Sequence, residues 1–266
     1  MMNTILQQIQ IVDINSVMPF ECSLVQVEPI NLMPNLVRNP FPVIKIRDSF
    51  LLLDDTGLFE ALVRQGLKHL PVQVIPQELI SISPASIGLQ SYSVKNLHRT
   101  ASSRPELIKL GESGKCPNGF IPVLITYGND EKQWVHLRHS GRIGCPTSLM
   151  ILLRDIITTG DYFVLGENMN SSTAVVRYPQ AEATMTLPSF QLDDIKAAAL
   201  SERYFPIGLI KIAPACRVFN LDFPVSVLTD NIPTEEKQAF VQDLVWMRER
   251  AQKTTVIDGR VYLLNR

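Results

Sequence analysis

The stretch from Pro40 to Ile75, PFPVIKIRDSFLLLDDTGLFEALVRQGLKHLPVQVI, constrains the fold more than any other part of the chain, because it reads as one complete strand, turn, strand, helix, strand unit. Phe41 to Ile46 and Phe50 to Leu53 are apolar runs separated by the polar turn Arg47-Asp48-Ser49, as in a hairpin. Asp54-Asp55-Thr56-Gly57 breaks that pattern. From Leu58 onward Leu58, Ala61, Leu62 and the stem of Gln65 recur at helical spacing. This predicts a short helix that begins at about Thr56 and ends where Gly66 supplies a left-handed residue. Leu70 to Ile75 is the next extended run. Asp54 and Asp55 therefore fall at the carboxyl end of a strand and the amino end of a helix, the junction where such units hold ligands.

Around this unit, 266 residues are ample for a sizeable core or for two small domains. With 25 basic and 26 acidic residues, a net charge of -1 and a pI near 6.4, the chain makes no electrostatic case for nucleic acid. Cys22, Cys116, Cys145 and Cys216 form no CxxC pair, which argues against structural zinc and fits reduced thiols in the cytoplasm. The chain opens on no signal-peptide pattern, and no apolar run approaches the roughly 18 residues of a membrane span. His136 and His139 lie three apart on a strand-like segment, so they do not share a face and make a poor metal pair.

Along the rest of the chain, Ile9 to Ile14 alternates as a strand, and Val17 to Glu21 reads as a turn carrying a lone carboxylate among apolar neighbours. Glu21 is either a solvated turn residue or a carboxylate delivered to the Asp54 junction. The serine-rich segment from Gln77 to Cys116 reads as irregular, with one short helix near Pro105 to Leu110. Ile121 to Tyr127 and Gln133 to Leu137 form a hairpin about Gly128-Asn129-Asp130-Glu131, and Thr147 caps a helix with Leu149, Leu152, Leu153, Ile156 and Ile157 on its buried stripe. Later come a strand at Thr173 to Tyr178, an alanine-rich helix at Asp193 to Ser201, and strands at Ile207 to Ile212 and Val218 to Phe223. A long helix follows, capped by Thr234 and burying Phe240, Leu244, Met247 and Ala251, and then a hairpin about Asp258-Gly259. The fold class is mixed α/β (α+β). The expected division is a core over 1–80, a connecting α+β segment over 81–170, and a smaller α+β C-terminal region over 171–266.

The order LLLDDTGLFEALVRQGLKHLPVQVI resembles the ParB/sulfiredoxin superfamily, in which a strand ends in Asp-Gly-x-His-Arg, a helix of the type Tyr-x-Ala-Leu follows, and Gly-x-x-x-Ile-Pro-Val closes the unit. The last two pieces are kept here. Within that superfamily the chain is similar to the kinases of free L-serine, a group with siderophore-cluster members that also act as heme-responsive regulators. Phe20-Glu21 stands where those proteins carry His-Glu; FPIGLIKIAPACRVFNLDFPVSVL resembles their Pro-x-Gly-Val-Thr-Arg segment followed by Arg-x-x-Asn and Pro; the ending RVYLLNR is similar as well. The resemblance covers most of the chain and is weakest between residues 77 and 170.

The resemblance implies an N-terminal ParB/sulfiredoxin-like domain and ATP- and magnesium-dependent phosphoryl transfer to the L-serine hydroxyl. The product would be O-phospho-L-serine for 2,3-diaminopropionate and siderophore synthesis. Such transfer needs an in-line acceptor, a carboxylate near it, a metal ion and donors around the phosphates. By the match, Glu21 is the base and Asp54 the acid of the motif and a magnesium partner. The amides of Thr56, Gly57 and Leu58 form the nucleotide-phosphate end, and Lys211 and Arg217 stand where the family has substrate-binding arginines.

The chain also departs from the family. Asp55, Gly57 and Leu58 replace the motif's Gly, His and Arg, which removes two phosphate-gripping side chains and adds a second carboxylate that could join Asp54 on magnesium or simply cap the helix. Ile210 replaces a threonine, and Lys211 and Arg217 also read as ordinary surface charges. Sulfiredoxin chemistry needs a cysteine that positions 54–58 lack, and ParB-type DNA spreading needs the missing arginines and a helix-turn-helix. Two classes remain: a divergent serine kinase binding L-serine and nucleotide, or an inactive homologue regulating a biosynthetic cluster in response to a metabolite or heme. His98, His136 and the cysteines are the candidate heme ligands, and a homodimer is compatible with either class.

Overall fold

Near-continuous apolar runs at Phe41–Ile46 and His69–Val74 form the centre of a five-stranded mixed sheet, because strands buried on both faces have no polar face to alternate with. In this computed structural model the described residues are 8–22, 35–84, 86–106, 108–138, 162–165, 181–187, 190–202, 204–229, 231–251, 254–257 and 260–263. The sheet runs in the order Ile9–Asp13, His69–Val74, Phe41–Ile46, Ser49–Leu52, Val17–Met18. Phe41–Ile46 and Ser49–Leu52 are the expected hairpin, with Arg47 at φ 53 in its turn. His69–Val74 lies parallel to Phe41–Ile46, with Phe41 opposite Val72, and the Thr56–Arg64 helix lies in the connection between the Ser49–Leu52 strand and His69–Val74. Gly66 ends that helix at φ 76.

Contacts divide the chain into two units that interleave in sequence. The first comprises Met1–Pro19, Val27–Ser81 and Ile212–Arg266, and the second Phe20–Gln26 and Ile82–Lys211. The segment from Ile212 onward, which a linear reading separates from residues 1–80, thus shares their unit.

In the first unit Val43, Leu52, Phe59, Leu62, Leu70 and Val72 form a core with Val241 and Val245 of the Thr234–Arg250 helix. Each fully buried Leu or Phe contributes about 1.5–3 kcal/mol by leaving water. Two helix faces differ from expectation. The Thr56–Arg64 helix buries Thr56, Phe59 and Leu62 while Leu58 is exposed, because the large Phe59 ring packs edge to face on Phe41. The long helix buries Lys237, Val241 and Val245, whereas Phe240 and Met247 are largely exposed. That rotation lets the Gln238 side chain accept the Ile11 N–H at 2.7 Å and donate to the Ile9 carbonyl at 3.1 Å, pairing the outer side of the edge strand Ile9–Asp13. Thr234 is the first helical residue after Pro233, and its hydroxyl bonds His69 Nε2 at 3.0 Å instead of capping the helix.

The second unit holds an antiparallel sheet in the order Ile108–Gly111, Lys132–Arg138, Phe120–Tyr127, Ala183–Thr186, Ser86–Leu89, Tyr162–Leu165. The hairpin of Phe120–Tyr127 and Lys132–Arg138 is as expected. The expected helix near Pro105 is not: the helix is Ser91–Ser103, burying Val94, Leu97 and Ala101, and Ile108–Gly111 is a strand paired with Lys132–Arg138. The alanine-rich helix spans Leu192–Leu200. The predicted Thr147 helix and Thr173 strand, together with Cys145 and His139, lie outside the described residues.

The predicted strands at Ile207 to Ile212 and Val218 to Phe223 appear as Ile210–Pro214, Val218–Phe219 and Phe223–Pro224. Asn220 at φ 58 and Asp222 at φ 51 break the second run, since left-handed residues cannot continue a strand. The final hairpin pairs Thr254–Ile257 with Arg260–Leu263. Among the described residues no helix is long and apolar enough to cross a membrane.

Candidate functional site

The polar corner between Leu52 and Thr56 is set by backbone geometry. Leu53 N–H donates to the Pro42 carbonyl at 2.9 Å, so the hairpin ladder extends one residue past the strand and stops at Asp54. Asp55 then adopts φ 64, ψ 28, a left-handed conformation that glycine takes without strain. Position 55 is where the Asp-Gly-x-His-Arg motif carries its glycine, and here an aspartate holds the left-handed shape that glycine takes without strain. The Asp55 carboxylate makes no capping bond to the helix, which corrects the N-cap reading of this side chain.

The helix start presents donors that the helix itself does not pair. Phe59 N–H makes the first intrahelical bond, to the Asp55 carbonyl at 3.0 Å, which leaves the preceding amides of Thr56, Gly57 and Leu58 without an intrahelical acceptor. Open space surrounds Gly57, where an added Cβ would meet no atom within 4 Å. Thr56 is 3 % exposed, and its Oγ1 has no hydrogen-bond partner.

Arg217 brings the positive charge. Its Nη1 donates to Asp54 Oδ2 at 2.7 Å and its Nη2 to Asp55 Oδ2 at 3.2 Å, with the Arg217 side chain only 12 % exposed. Arg217 is therefore not an ordinary surface charge. The guanidinium carbon lies 5.1 Å from the Phe219 ring centroid, a cation–π contact. The neighbouring residue is pinned as well: Val218 N–H donates to Gln73 Oε1 at 2.9 Å, and Val218 pairs in parallel with Val261. Gln73 is the anchor of this corner that the sequence reading missed; its signal is a lone amide inside the apolar strand Leu70-Pro71-Val72-Gln73-Val74. Burial, and next the Asp54 charge, push the Asp55 carboxyl above the usual aspartate value, while Arg217 pulls it back.

Glu21 and Lys211 belong to the second unit. Glu21 is 7 % exposed in the two-residue strand Glu21–Cys22, parallel to Phe205–Pro206, and Oε1 accepts the Gly208 N–H at 3.2 Å. That corrects the reading of Glu21 as a solvated turn residue. Phe205 N–H to the Phe20 carbonyl and Ile207 N–H to the Cys22 carbonyl hold the pair in register. Lys211 is half-buried on Ile210–Pro214.

The residues present fit magnesium poorly. Mg²⁺ takes oxygen ligands at about 2.1 Å, but Asp54 Oδ2 and Asp55 Oδ2 already accept the guanidinium, and Asp54 Oδ1 accepts the Asp55 N–H at 2.8 Å. No cluster of three or more metal-ligating residues occurs among the described residues. The candidate heme ligands are engaged too: His98 Nε2 bonds the Tyr127 hydroxyl at 3.1 Å, and the buried His136 bonds the Ser113 carbonyl at 3.0 Å. Cys22, Cys116 and Cys216 form no disulfide.

No protein-family model matches the chain, and no curated protein matches it. Solved structures do. SbnI with a C-terminal truncation, from Staphylococcus aureus, superposes with TM-score 0.69 at 17% identity, over 92% of this chain and 99% of that one. A mutant of free serine kinase in complex with ADP gives TM-score 0.61 at 12% identity, over 83% and 94% of the two chains. A conserved hypothetical protein from Pyrococcus furiosus gives 0.61 at 13% identity, over 83% and 97%. The resemblance seen in the Pro40–Ile75 unit is thereby borne out in the fold: the chain is a mixed α/β protein with the architecture of SbnI and of free serine kinase.

Proposed function

We propose that the protein is a divergent kinase of free L-serine, transferring a phosphoryl group from ATP to the serine hydroxyl. The observation that carries this reading is the Asp54 corner. A helix begins there with amides that have no intrahelical acceptor, beside a left-handed residue at the motif's glycine position, and a guanidinium from a distant segment supplies positive charge. Those elements suit an anion better than a cation or an apolar ligand. The bound ADP and AMP of the free serine kinase structures support a nucleotide as the donor.

In this reading the amides of Thr56, Gly57 and Leu58 receive the nucleotide phosphates, and Arg217 offsets their charge. The family match gives Glu21, which accepts the Gly208 N–H within the second unit, the role of base toward the serine hydroxyl, and Lys211 that of a substrate-binding cation. Phosphoryl transfer asks the protein chiefly for such positioning and charge. O-Phospho-L-serine made this way would feed 2,3-diaminopropionate and siderophore synthesis.

The test is incubation of the protein with ATP, magnesium and L-serine, with phosphorus NMR reporting phosphoserine. Glu21→Gln keeps an acceptor for the Gly208 N–H, so it should abolish turnover with the melting temperature nearly unchanged. Absence of product together with absence of any nucleotide-induced rise in melting temperature would end the kinase reading.

A second reading, a metabolite-responsive regulator without catalysis, is favoured by one feature of the second unit. An open pocket of about 990 Å³ is lined by residues including His98, Glu112, Tyr127, Gln133 and Glu182. A chain of bonds runs through it, the Tyr127 hydroxyl donating to Gln133 Oε1 at 2.8 Å and meeting His98 Nε2 at 3.1 Å. A protein that makes no phosphoserine yet is stabilised by L-serine or O-phosphoserine, in a manner lost in Tyr127→Phe, would establish this role instead.

A further inference from the structure

The corner holds two adjacent carboxylates and one guanidinium, and the same oxygens would serve either that guanidinium or a metal. Arg217 Nη1 and Nη2 take Asp54 Oδ2 and Asp55 Oδ2 in a forked arrangement. A divalent ion bound to the same atoms would sit about 2.1 Å from each, against a guanidinium that stays charged at any working pH. Each carboxylate oxygen keeps a second lone pair, so what opposes a divalent ion here is the guanidinium charge, held 2.7 and 3.2 Å from the two oxygens. Three contacts oppose its leaving: the Phe219 ring, the Gln73 side chain that anchors Val218, and the parallel pairing of Val218 with Val261.

We propose that Arg217 is the resident cation of the Asp54–Asp55 corner and keeps divalent metal out of it. Resting on the kinase reading, it follows that nucleotide phosphates received at this corner are bound there by amides and guanidinium without a bridging magnesium ion. The aspartates then act as positioning residues for Arg217.

The inference predicts the outcome of a metal-binding experiment that needs no nucleotide. With Mn²⁺ alone as the probe, followed by electron paramagnetic resonance, the wild-type protein should leave the spectrum of the aqueous ion unchanged. Arg217→Gln should bind one Mn²⁺, and adding Asp54→Asn to that variant should remove it. Arg217→Met, which keeps the aliphatic stem on Phe219, serves as a second neutral variant should the first fail to fold. Arg217→Lys should exclude the ion as the wild type does. Two results would overturn the proposal: wild-type Mn²⁺ binding that Asp54→Asn abolishes, or a folded neutral variant that still binds no metal.

A nucleotide arm addresses the dependent clause. The rise in melting temperature given by ADP should be the same with EDTA as with Mg²⁺ in the wild type. A rise that requires Mg²⁺ and is lost in Asp54→Asn overturns the metal-free mode. No rise under either condition counts against the nucleotide reading, while the Mn²⁺ result still decides the role of Arg217.

Discussion

The two units handle polar groups in opposite ways. In the first, His69–Val74 runs parallel to Phe41–Ile46, and parallel neighbours require a crossover. The crossover contains a helix whose start presents the amides of Thr56 to Leu58, which have no intrahelical acceptor. In the second, the six-stranded sheet is antiparallel throughout, and the Ser91–Ser103 helix starts between its strands Ser86–Leu89 and Ile108–Gly111. Its open pocket is walled by side chains, among them Glu112, Glu131 and Glu182 with Lys132. The first corner sets backbone donors and a guanidinium beside its two carboxylates, whereas the second unit's pocket sets three carboxylates beside one lysine. What marks the first unit's helix start is the guanidinium that a distant strand brings to Asp54 and Asp55.

The sharpest way to break that contrast is a pair of matched core truncations. Leu62→Ala beneath the first unit's helix and Leu97→Ala in the second unit's helix each remove a fully buried side chain. Each should cost about 2–5 kcal/mol in urea unfolding. Only Leu62→Ala should also weaken the response of the melting temperature to ADP. The reverse pattern would move the nucleotide site to the second unit.

Next in size is Gln73→Leu, which removes the acceptor of the buried Val218 N–H. A loss of about 1–3 kcal/mol is expected, with the ADP response falling in parallel, because the strand that carries Arg217 loses its anchor. An unchanged response would mean that Arg217 is placed by its own ion pairs alone.

Arg217→Ala itself should cost only about 1 kcal/mol of stability, since both carboxylates are roughly half exposed and screened. It should nevertheless abolish the ADP response, so stability and ligand binding separate at this residue. A smaller effect of opposite sign is expected for Gly57→Ala. The position has open space and a helical backbone, so alanine should stabilise by about 0.5–1 kcal/mol.

The smallest expected effect is a pH slope. Burial, and then the Lys237 charge, hold His69 below its ordinary imidazole value of 6.5, with Lys68 acting in the same sense and Asp13 opposing. The unfolded chain therefore binds a proton that the folded one resists. Stability from this group is present above pH 6.5 and declines as pH falls through that value toward the folded one. His69→Gln should flatten the slope measured by urea midpoints between pH 7.5 and about 5.5.

Much of the first unit was legible in the chain. Gly66, the polar turn at Arg47 to Ser49 and the apolar runs around them act locally, and local rules found the hairpin, the helix start and the returning strand. The Ser91–Ser103 helix escaped because its buried Val94, Leu97 and Ala101 sit among serines that suggest a loop. The faces of the two first-unit helices escaped for a different reason. Several apolar stripes were available on each, and the choice between them was made by Phe41 meeting Phe59 and by Gln238 reaching the edge strand.

Residue order alone determined the backbone of the corner: strand end, sharp break, helix start, left-handed stop. These depend on neighbours a few positions apart, where steric limits and hydrogen-bond spacing act directly. Only the tertiary structure decided its charge. Arg217 lies 162 and 163 positions from the two aspartates it bridges, and no periodicity or spacing carries information over that distance. A long-range ion pair forms where separately encoded strands happen to be packed, and here that packing turned an acidic corner into one with a built-in cation.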